Sequence, residues 1–380
     1  MKGTISFLLI PVMLLCMFAI ACDQDSIFYD IYNEPEPKDA LIPGSPTNIV
    51  VVRDRLYVGS RMGNKIFSYS SSGITDVWNT VALSNGALGD LTTDGEYLYA
   101  LVFPGGDPLG SSAIRRYNPG SGSWDREISS EDYSIQTIYG AGGNIFAGGQ
   151  SKSNRQSFAV LYLDTSSFTL SVSIDQTSLL KGAVRDAGGN IYLATMGSGI
   201  FMFNRGAING PLNGTSQAII TGIIETGGVI VAVGNAGTIY YGSTGSFNQI
   251  SNNVNYTGAL CVWLDPANQW RPSLLLMGIR GKGTSLVHGY QEMILENGNP
   301  TFKMHSPGNE TPSSVKSRSK YTAAIGLHPV VSILQVPGIG GGPLDYGAFA
   351  GESDWEPPIF ASTAKDGLWS YRNGEWNAED

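Results

Sequence analysis

The sequence predicts an all-β fold, a single β-propeller of seven blades, each a four-stranded antiparallel sheet. Three observations support this. Charged residues make up only 14% of the chain, whereas it has 49 glycines and 10% aromatic residues, a balance typical of short strands joined by tight turns. Apolar and polar residues alternate in many short segments, which is the periodicity of a strand. These segments also recur at a nearly constant spacing.

The recurring feature is an apolar strand that follows a turn rich in glycine, aspartate or asparagine. Further strands precede and follow it, so a unit of roughly 40 to 47 residues has about four strands, which is the period of a propeller blade. The anchor positions lie 39 to 47 residues apart, with 84 before the last: Leu56, Leu98, Ile145, Ile191, Ile230, Leu275 and Ile359. The innermost strands are predicted to start near residues 48, 87, 134, 181, 218, 259 and 329. Six blades with a long insertion is the alternative count.

Two copies carry a more specific pattern. Residues 189–195 read Gly-Asn-Ile-Tyr-Leu-Ala-Thr and are followed by Gly-Ile-Phe-Met-Phe at 199–203. Together with Asp-Gly-Leu-Trp-Ser-Tyr at 366–371, this pattern resembles the repeats of two-component-regulator-type and NHL-type propellers. The resemblance implies the propeller fold and no particular activity, because function lies in sites that differ between proteins of one fold.

The N-terminus has the features of an export signal. A lysine precedes an uncharged apolar run that ends in small residues, so residues 1–21 are predicted to be a signal peptide. The segment Ala19-Ile20-Ala21-Cys22 resembles the lipobox of bacterial lipoproteins. That resemblance implies cleavage before Cys22, a diacylglycerol on its sulfur and an acyl chain such as palmitate on its amino group. An uncleaved signal anchor is the alternative, and the choice between inner and outer membrane is left open.

Residues 22–46 are acidic and rich in proline, and they are predicted to form a tether between the lipid and a propeller at 47–380. Their aromatic residues leave open that they pack on the propeller or add an edge strand. Of the three cysteines, Cys16 would leave with the signal peptide and Cys22 would carry the lipid. Cys261 lies in an apolar strand-like run and is predicted to be a small buried hydrophobic residue.

Two irregular insertions are the candidate binding loops, because propeller loops form the faces on which binding residues gather. Residues 306–321 are basic, and their candidate residues are Lys316, Arg318 and Lys320. Residues 337–358 combine three consecutive glycines with acidic and aromatic groups; the candidates there are Asp345, Tyr346, Phe349, Asp354 and Trp355. The alternatives are a solvated loop for the first insertion and a connection folded over one channel mouth for the second.

Catalytic and metal-binding patterns are scarce. The three histidines, His288, His305 and His328, lack metal-ligand spacing, and no G-x-S-x-G motif is present. No cofactor and no metal are therefore predicted, and the net charge of −9 argues against nucleic acid. Aspartates beside turns, such as Asp94, are expected to bind their own backbone. Asp90, Arg185, Asp186 and Glu225 are charged residues that interrupt the otherwise mostly apolar or hydroxylic predicted inner strands.

The sequence thus predicts an exported, lipid-anchored protein whose propeller faces the periplasm or the cell surface as a non-catalytic scaffold for a protein or small ligand. By fold analogy, it is similar to propeller lipoproteins that assist outer-membrane assembly. The alternative is an envelope enzyme, a hydrolase or lyase acting on a sugar or lactone in the central channel. Three or more Asp, Glu, His or Arg side chains around one pocket would favour the enzyme.

Overall fold

The computed structural model describes most of the chain from residue 42 onward. The described residues belong to one compact unit, Ala40–Glu379. They are residues 42, 44–53, 55–70, 77–204, 206–243, 245–252, 254–263, 273–282, 289–296, 299–304, 329–336, 359–365, 367–372 and 375–379. The predicted signal peptide, Cys22 and most of the predicted tether lie outside them.

Seven four-stranded antiparallel sheets, which we call blades 1 to 7, follow one another along the chain. Blade 1 comprises β1 (Val50–Val52), β2 (Arg55–Ser60), β3 (Lys65–Ser70) and β4 (Val77–Val81). Blade 2 comprises β5 (Ala87–Thr93), β6 (Leu98–Phe103), β7 (Ala113–Asn118) and β8 (Ser123–Ser129). Blade 3 comprises β9 (Tyr133–Ala141), β10 (Asn144–Ser151), β11 (Phe158–Asp164) and β12 (Thr169–Thr177). Blade 4 comprises β13 (Leu180–Arg185), β14 (Ile191–Thr195), β15 (Gly199–Asn204) and β16 (Ala207–Asn209).

The remaining blades have the same organisation. Blade 5 comprises β17 (Ile220–Thr226), β18 (Val229–Gly234), β19 (Thr238–Ser243) and β20 (Ser246–Ser251). Blade 6 comprises β21 (Val254–Trp263), β22 (Ser273–Lys282), β23 (Gly289–Glu296) and β24 (Asn299–Met304). Blade 7 comprises β25 (Val330–Gln335), β26 (Ile359–Thr363), β27 (Leu368–Arg372) and β28 (Glu375–Ala378). The predicted all-β fold with seven blades is confirmed, and the six-blade alternative is wrong.

The second strand of each blade forms its apolar centre. It lies between two other strands and packs against neighbouring blades on both faces, so it has a continuous rather than an alternating apolar run. All six residues of β6 and all five of β14 are buried. The sequence anchors fall on these second strands, and each is buried: Leu56, Leu98, Ile145, Ile191, Ile230, Leu275 and Ile359.

The described part of the chain is almost without helix. Its one helical element is a 3₁₀ turn, Asn235–Gly237, between β18 and β19. No helix among these residues is long and apolar enough to cross a membrane.

The innermost strands contact one another in chain order around the ring, from β1 through β5, β9, β13, β17 and β21 to β25. We call the end where these strands begin the entry face; the described connections there are 61–64, 82–86, 104–112, 130–132, 152–157, 178–179, 196–198, 210–219 and 235–237. We call the opposite end the turn face; it has the tight turns at 94–97, 142–143, 186–190 and 227–228.

The ring closes where blade 7 meets blade 1. No strand is shared between these two blades, because each consists of four consecutive strands. The backbone N–H of Ile49 donates to Ser332 Oγ at 3.1 Å, and Trp78 Nε1 donates to Glu379 Oε2 at 3.0 Å. A shared apolar cluster, which we call the closing seam, lies between the blades: Ile42, Ile49, Leu56, Val58, Phe67, Tyr69, Val336, Phe360 and Leu368. Ile42, which falls in the predicted tether, is fully buried in this seam.

Aspartates hold two of the turns on the turn face. Asp186 Oδ1 accepts the N–H of Asn190 at 2.8 Å, and its Oδ2 accepts the hydroxyl of buried Tyr192 at 3.2 Å. Asp94 forms the same arrangement with the N–H of Tyr97 and the hydroxyl of Tyr99. The expectation that such aspartates bind their local backbone is confirmed, and these carboxylates therefore have a structural role.

Asp186→Ala should lower the free energy of unfolding by about 1–2 kcal/mol, because the Tyr192 hydroxyl and a turn N–H lose their acceptor. Burial raises the pKa of Asp186, but the hydrogen bonds from Asn190 and Tyr192 outweigh it, so the pKa lies below its usual value. The contribution is therefore fully present above the unfolded-state pKa, about 4, and is lost as the pH falls through the folded-state pKa. Urea denaturation at several pH values measures this, with the exposed Asp132→Ala as the control. Equal losses in the two variants would contradict the assignment.

Candidate functional site

The inner strands share an irregularity close to the entry face. In five of them the pairing with the second strand shifts by one residue, which leaves one inner-strand residue unpaired. Such a β-bulge redirects the side chain at that point. The unpaired residues are Gly89, Gln136, Lys181, Thr221 and Val331. These bulges therefore lie near the entry-face end of the inner strands, which contact one another around the ring.

Asp90 follows the bulge in blade 2, and its carboxylate is held from several sides. Its Oδ1 accepts the backbone N–H groups of Asn48 at 2.9 Å and Leu91 at 2.8 Å. Its Oδ2 accepts Asn48 Nδ2 at 3.2 Å and lies 3.6 Å from the guanidinium of Arg61. Burial raises the pKa of Asp90 above its usual value, while Arg61 and the N–H donors oppose that rise. The carboxylate therefore joins blade 1 to blade 2.

The guanidinium of Arg61 is also held by several contacts within the protein. It directly follows β2 at the entry face, and its Nε donates to the carbonyl of Gly89 at 2.6 Å. Its Nη1 lies 3.5 Å from Ser45 Oγ, and its Nη2 faces Asp90. Arg61 and Asp90 thus form a pair whose hydrogen-bonding groups are largely used within the protein.

Two more cations lie at the same end of the channel. Lys181 occupies the bulge of β13 and is partly buried, whereas Arg280 is exposed and is an unpaired extra residue near the end of β22. Burial, followed by the positive charge of Arg280, lowers the pKa of Lys181, and Asp90 opposes this shift. The ion pairs found among the described residues join other groups and include neither Lys181 nor Arg280.

Tyr139 lies further along the inner strand β9; it is partly buried and packs against the apolar cluster between blades 3 and 4. Burial, followed by the charge of Asp90, raises the pKa of its phenol well above the usual value. The phenol is therefore neutral and can donate a hydrogen bond at physiological pH. We call Arg61, Asp90, Tyr139, Lys181 and Arg280 the channel cluster.

The sequence-predicted candidates are only partly placed by the structure. Asp90 belongs to the channel cluster, whereas Arg185, Asp186 and Glu225 lie at the turn face, where Glu225 Oε1 accepts the N–H of Gly228 at 2.7 Å. The candidate loop residues and the histidines lie outside the described residues: Lys316, Arg318, Lys320, Asp345, Tyr346, Phe349, Asp354, Trp355, His288, His305 and His328. Within the described ranges, no group of three or more potential ligands could hold a metal ion.

Four members of the channel cluster were missed in the sequence: Arg61, Tyr139, Lys181 and Arg280. Lys181 lies within a predicted inner strand. A search of those strands for cations could therefore have found it in the sequence. Arg61 and Arg280 come from second-strand ends, and their approach to the channel depends on bulges and connections that periodicity does not encode.

Cys261 is a buried core residue, as predicted. It is 4% exposed and packs beside Trp263 and Leu274 in the cluster between blades 6 and 7. Its Sγ accepts the N–H of Gln335 at 3.0 Å, and burial raises the pKa of its thiol to about 12.

We expect the Cys261 thiol to resist alkylation at neutral pH in the folded protein, because the thiolate is the reactive form. Labelling with iodoacetamide followed by peptide mapping measures this, and labelling in denaturant is the control. Rapid modification of Cys261 without unfolding would contradict its placement in the core.

A separate groove of about 1010 Å³ lies between blades 3 and 4 near the turn face. Arg185, Tyr162 and Phe203 line it together with asparagine and serine side chains. The amides are engaged locally: Asn144 Oδ1 accepts the hydroxyl of Tyr162 at 3.2 Å, and Asn204 Nδ2 donates to Asn190 Oδ1 at 2.8 Å. The groove is open and polar, and its groups do not converge on one point.

The ring of seven consecutive four-stranded meanders around a channel defines the class of this protein as a seven-bladed β-propeller. A chain of the solved "Crystal Structure of Mitotic Checkpoint Complex" is similar, with a TM-score of 0.55 and 9% sequence identity over 90% of this chain and 97% of that chain. At this identity the likeness shows the fold alone. No protein-family model and no curated protein matches the sequence.

Proposed function

We propose that this propeller is a non-catalytic scaffold that binds an apolar surface of a protein partner through its entry face, and that a lipid on Cys22 holds it in the cell envelope. The observation that carries the binding role is the distribution of exposed apolar side chains. Several large apolar side chains exposed on the same face indicate an interaction surface, whereas single ones scattered over a protein are normal.

Most of the strongly exposed large apolar side chains in the described part of the chain lie at the entry face. Met62 is 78% exposed, Leu109 54%, Met196 47% and Ile219 46%. Met196 and Ile219 pair through an isolated β-bridge, so two of these side chains belong to adjacent backbone segments. The one exception is Val172, which lies on the outer strand β12 and is 48% exposed.

The partner is proposed to be a protein because the apolar positions are spread over blades 1, 2, 4 and the start of blade 5, a surface broader than one small molecule covers. The similar chain of known structure belongs to a protein complex, and this agrees with the use of the fold as a scaffold. The enzyme alternative requires at least three Asp, Glu, His or Arg side chains in one place. The channel cluster contains three residues of these types: Arg61, Asp90 and Arg280. Its single carboxylate is occupied by donors, however, so it offers no acid–base pair.

Site-specific photo-crosslinking in the native envelope tests the binding surface. A photoreactive residue at position 196 or 219 should capture the same protein, whereas one at the equally exposed position 172 should not. Met196→Asp should then abolish co-purification of that protein, and Val172→Asp should not. Equal capture at all three positions, or none at any, would remove the support for an entry-face partner; a substrate-dependent thermal shift in that case would favour the enzyme.

The anchor has its own test. Cys22→Ala should move the protein from the membrane fraction to the soluble fraction, because the lipid chains provide the membrane affinity. Cys261→Ala is the matched control and should remain membrane-bound. If Cys22→Ala stayed in the membrane as fully as the control, the uncleaved signal anchor would replace the lipoprotein.

A further inference from the structure

We propose that the groove between blades 3 and 4 binds a linear acidic oligosaccharide, with a sugar carboxylate held by Arg185 and the chain extended outward along the turn face. The groove has a volume of about 1010 Å³, the size of a large ligand pocket. It lies at the opposite end of the propeller from the entry face, so the site does not depend on the proposed protein partner.

The lining of the groove crosses blade 4 from its inner to its outer strand. Arg185 at the end of β13 pairs with Ile191 on β14, and Ile191 pairs with Phe203 on β15. Residues directly opposite one another share a face of the sheet, and Ile191 and Phe203 pack toward blade 3. With Ala207 at the start of β16, this row covers three strand spacings, about 14 Å. The groove therefore suits an extended ligand.

Two turns hold Arg185 at the inner end of the groove. A Cβ at Gly142 of blade 3 would overlap the Cδ of Arg185, and a Cβ at Gly189 of blade 4 would lie 3.4 Å from its Nη2. The side chain thus lies between two positions that have no side chain of their own, and it remains exposed to solvent.

The donors of Arg185 are available to a ligand. Among the described residues, the ion pairs join other groups, and no hydrogen bond of the Arg185 guanidinium to a protein acceptor is found. The neighbouring Asp186 is used within its own turn. Of the described lining residues Arg185 alone is charged, so no carboxylate among them repels an acidic ligand. A guanidinium offers a planar fork of donors that matches the two oxygens of a carboxylate.

The other polar groups are spread along the groove. Asn204 is fixed through its Nδ2, which donates to Asn190 Oδ1 at 2.8 Å, and its own Oδ1 can accept from a ligand. Ser171 and Ser173 line the blade 3 wall. Hydroxyl groups of a sugar both donate and accept, so they can bind amides and hydroxyls alike. Groups that the protein already holds in place also lose little freedom on binding.

The shape of the groove favours a sugar over a peptide. Extended peptides are bound by pairing along a strand edge or by pockets for alternate side chains. The row from Arg185 to Ala207 runs across the strands, and the edge strand β12 has a bulge at Ser173 that interrupts regular pairing. The described lining is open and polar, without an enclosed apolar pocket. An oligosaccharide needs neither feature, and its apolar C–H faces can lie on Tyr162 and Val172.

Calorimetric titration of the full-length protein in detergent tests the site with tetragalacturonate and a hyaluronan tetrasaccharide as probes. Saturable binding of at least one is expected. Arg185→Gln should weaken it about tenfold, the loss typical of one charge-assisted hydrogen bond. The methyl ester of that sugar keeps its hydroxyls without the charge, so it should bind Arg185→Gln and the unsubstituted protein equally. Arg155→Gln removes the same charge from an exposed position at the entry face and should leave the affinity unchanged.

Arginine modification by phenylglyoxal, mapped by mass spectrometry on the unsubstituted protein, gives a readout that does not depend on the folding of variants. The sugar that binds should slow modification of Arg185 and leave that of Arg155 unchanged. The absence of saturable binding by both sugars, an equal loss of affinity in Arg155→Gln, or equal protection of the two arginines would overturn the proposal. Binding of tetraglutamate as tight as that of the sugar would overturn it in favour of an acidic peptide.

Discussion

Gly140→Ala should destabilise the propeller by about 3 kcal/mol, at the upper end of the cost of overpacking a core. A Cβ at this position of β9 would lie 1.8 Å from the carbonyl oxygen of Thr93 and 2.9 Å from its carbon. Both neighbours belong to backbone, so no side-chain rotation relieves the clash, and blades 2 and 3 must move apart. Denaturant unfolding followed by tryptophan fluorescence measures the loss.

The matched control is Gly105→Ala. Gly105 has no atom within 4 Å of its would-be Cβ and, like Gly140, has no positive φ. This variant should change stability by less than about 1 kcal/mol, with a small gain expected because the unfolded chain loses freedom. If Gly140→Ala were as stable as Gly105→Ala, the close approach of the inner strands of blades 2 and 3 would be wrong.

Phe360→Ala should lower the free energy of unfolding by about 3–5 kcal/mol, the cost of truncating a fully buried aromatic side chain. Phe360 is 0% exposed on β26, and its ring lies 6.2 Å from the ring of Tyr69 and 6.4 Å from that of Trp78. It therefore connects blade 7 to blade 1 across the closing seam. Beyond the loss of stability, hydrogen exchange should accelerate first in β1–β4 and β25–β28.

Phe146→Ala is the control that separates a general loss of stability from a local opening of the closing seam. Phe146 occupies the equivalent position of β10, directly after the buried anchor Ile145, and its ring lies 5.1 Å from that of Phe203 in blade 4. The loss of stability should be similar, but the chain joins blades 3 and 4 directly, so exchange should not accelerate in the terminal blades. Identical exchange patterns in the two variants would argue that the closing seam is no weaker than the other interfaces.

The fold could be predicted because each blade repeats one local pattern. The second strand is buried on both faces, so residues such as Leu98 and Ile191 recur as apolar anchors, and the glycine and aspartate turns mark where the strands reverse. Strand pairing inside a blade is between chain neighbours, and the period alone therefore indicates the architecture.

The channel cluster could not be predicted in the same way. Its members come from blades 1, 2, 3, 4 and 6, which the closed ring arranges around the inner strands, and Lys181 and Arg280 are unpaired residues at irregularities of their strands. A bulge is a one-residue shift that leaves the apolar period unchanged. The lipid anchor at Cys22 and the two candidate loops, 306–321 and 337–358, stay predictions.

The absence of a shared strand between blades 7 and 1 has a consequence for the order of folding. A chain that emerges N-terminus first can pair the strands of each blade as soon as they appear, because all pairing partners are near in sequence. The closing seam cannot form in this way. Leu56 and Phe67 can pack there only after Phe360 has been synthesised, about three hundred residues later in the chain. During that interval the first blade exposes an apolar flank, so the unfinished chain is most prone to aggregation there, at the blade that folds first.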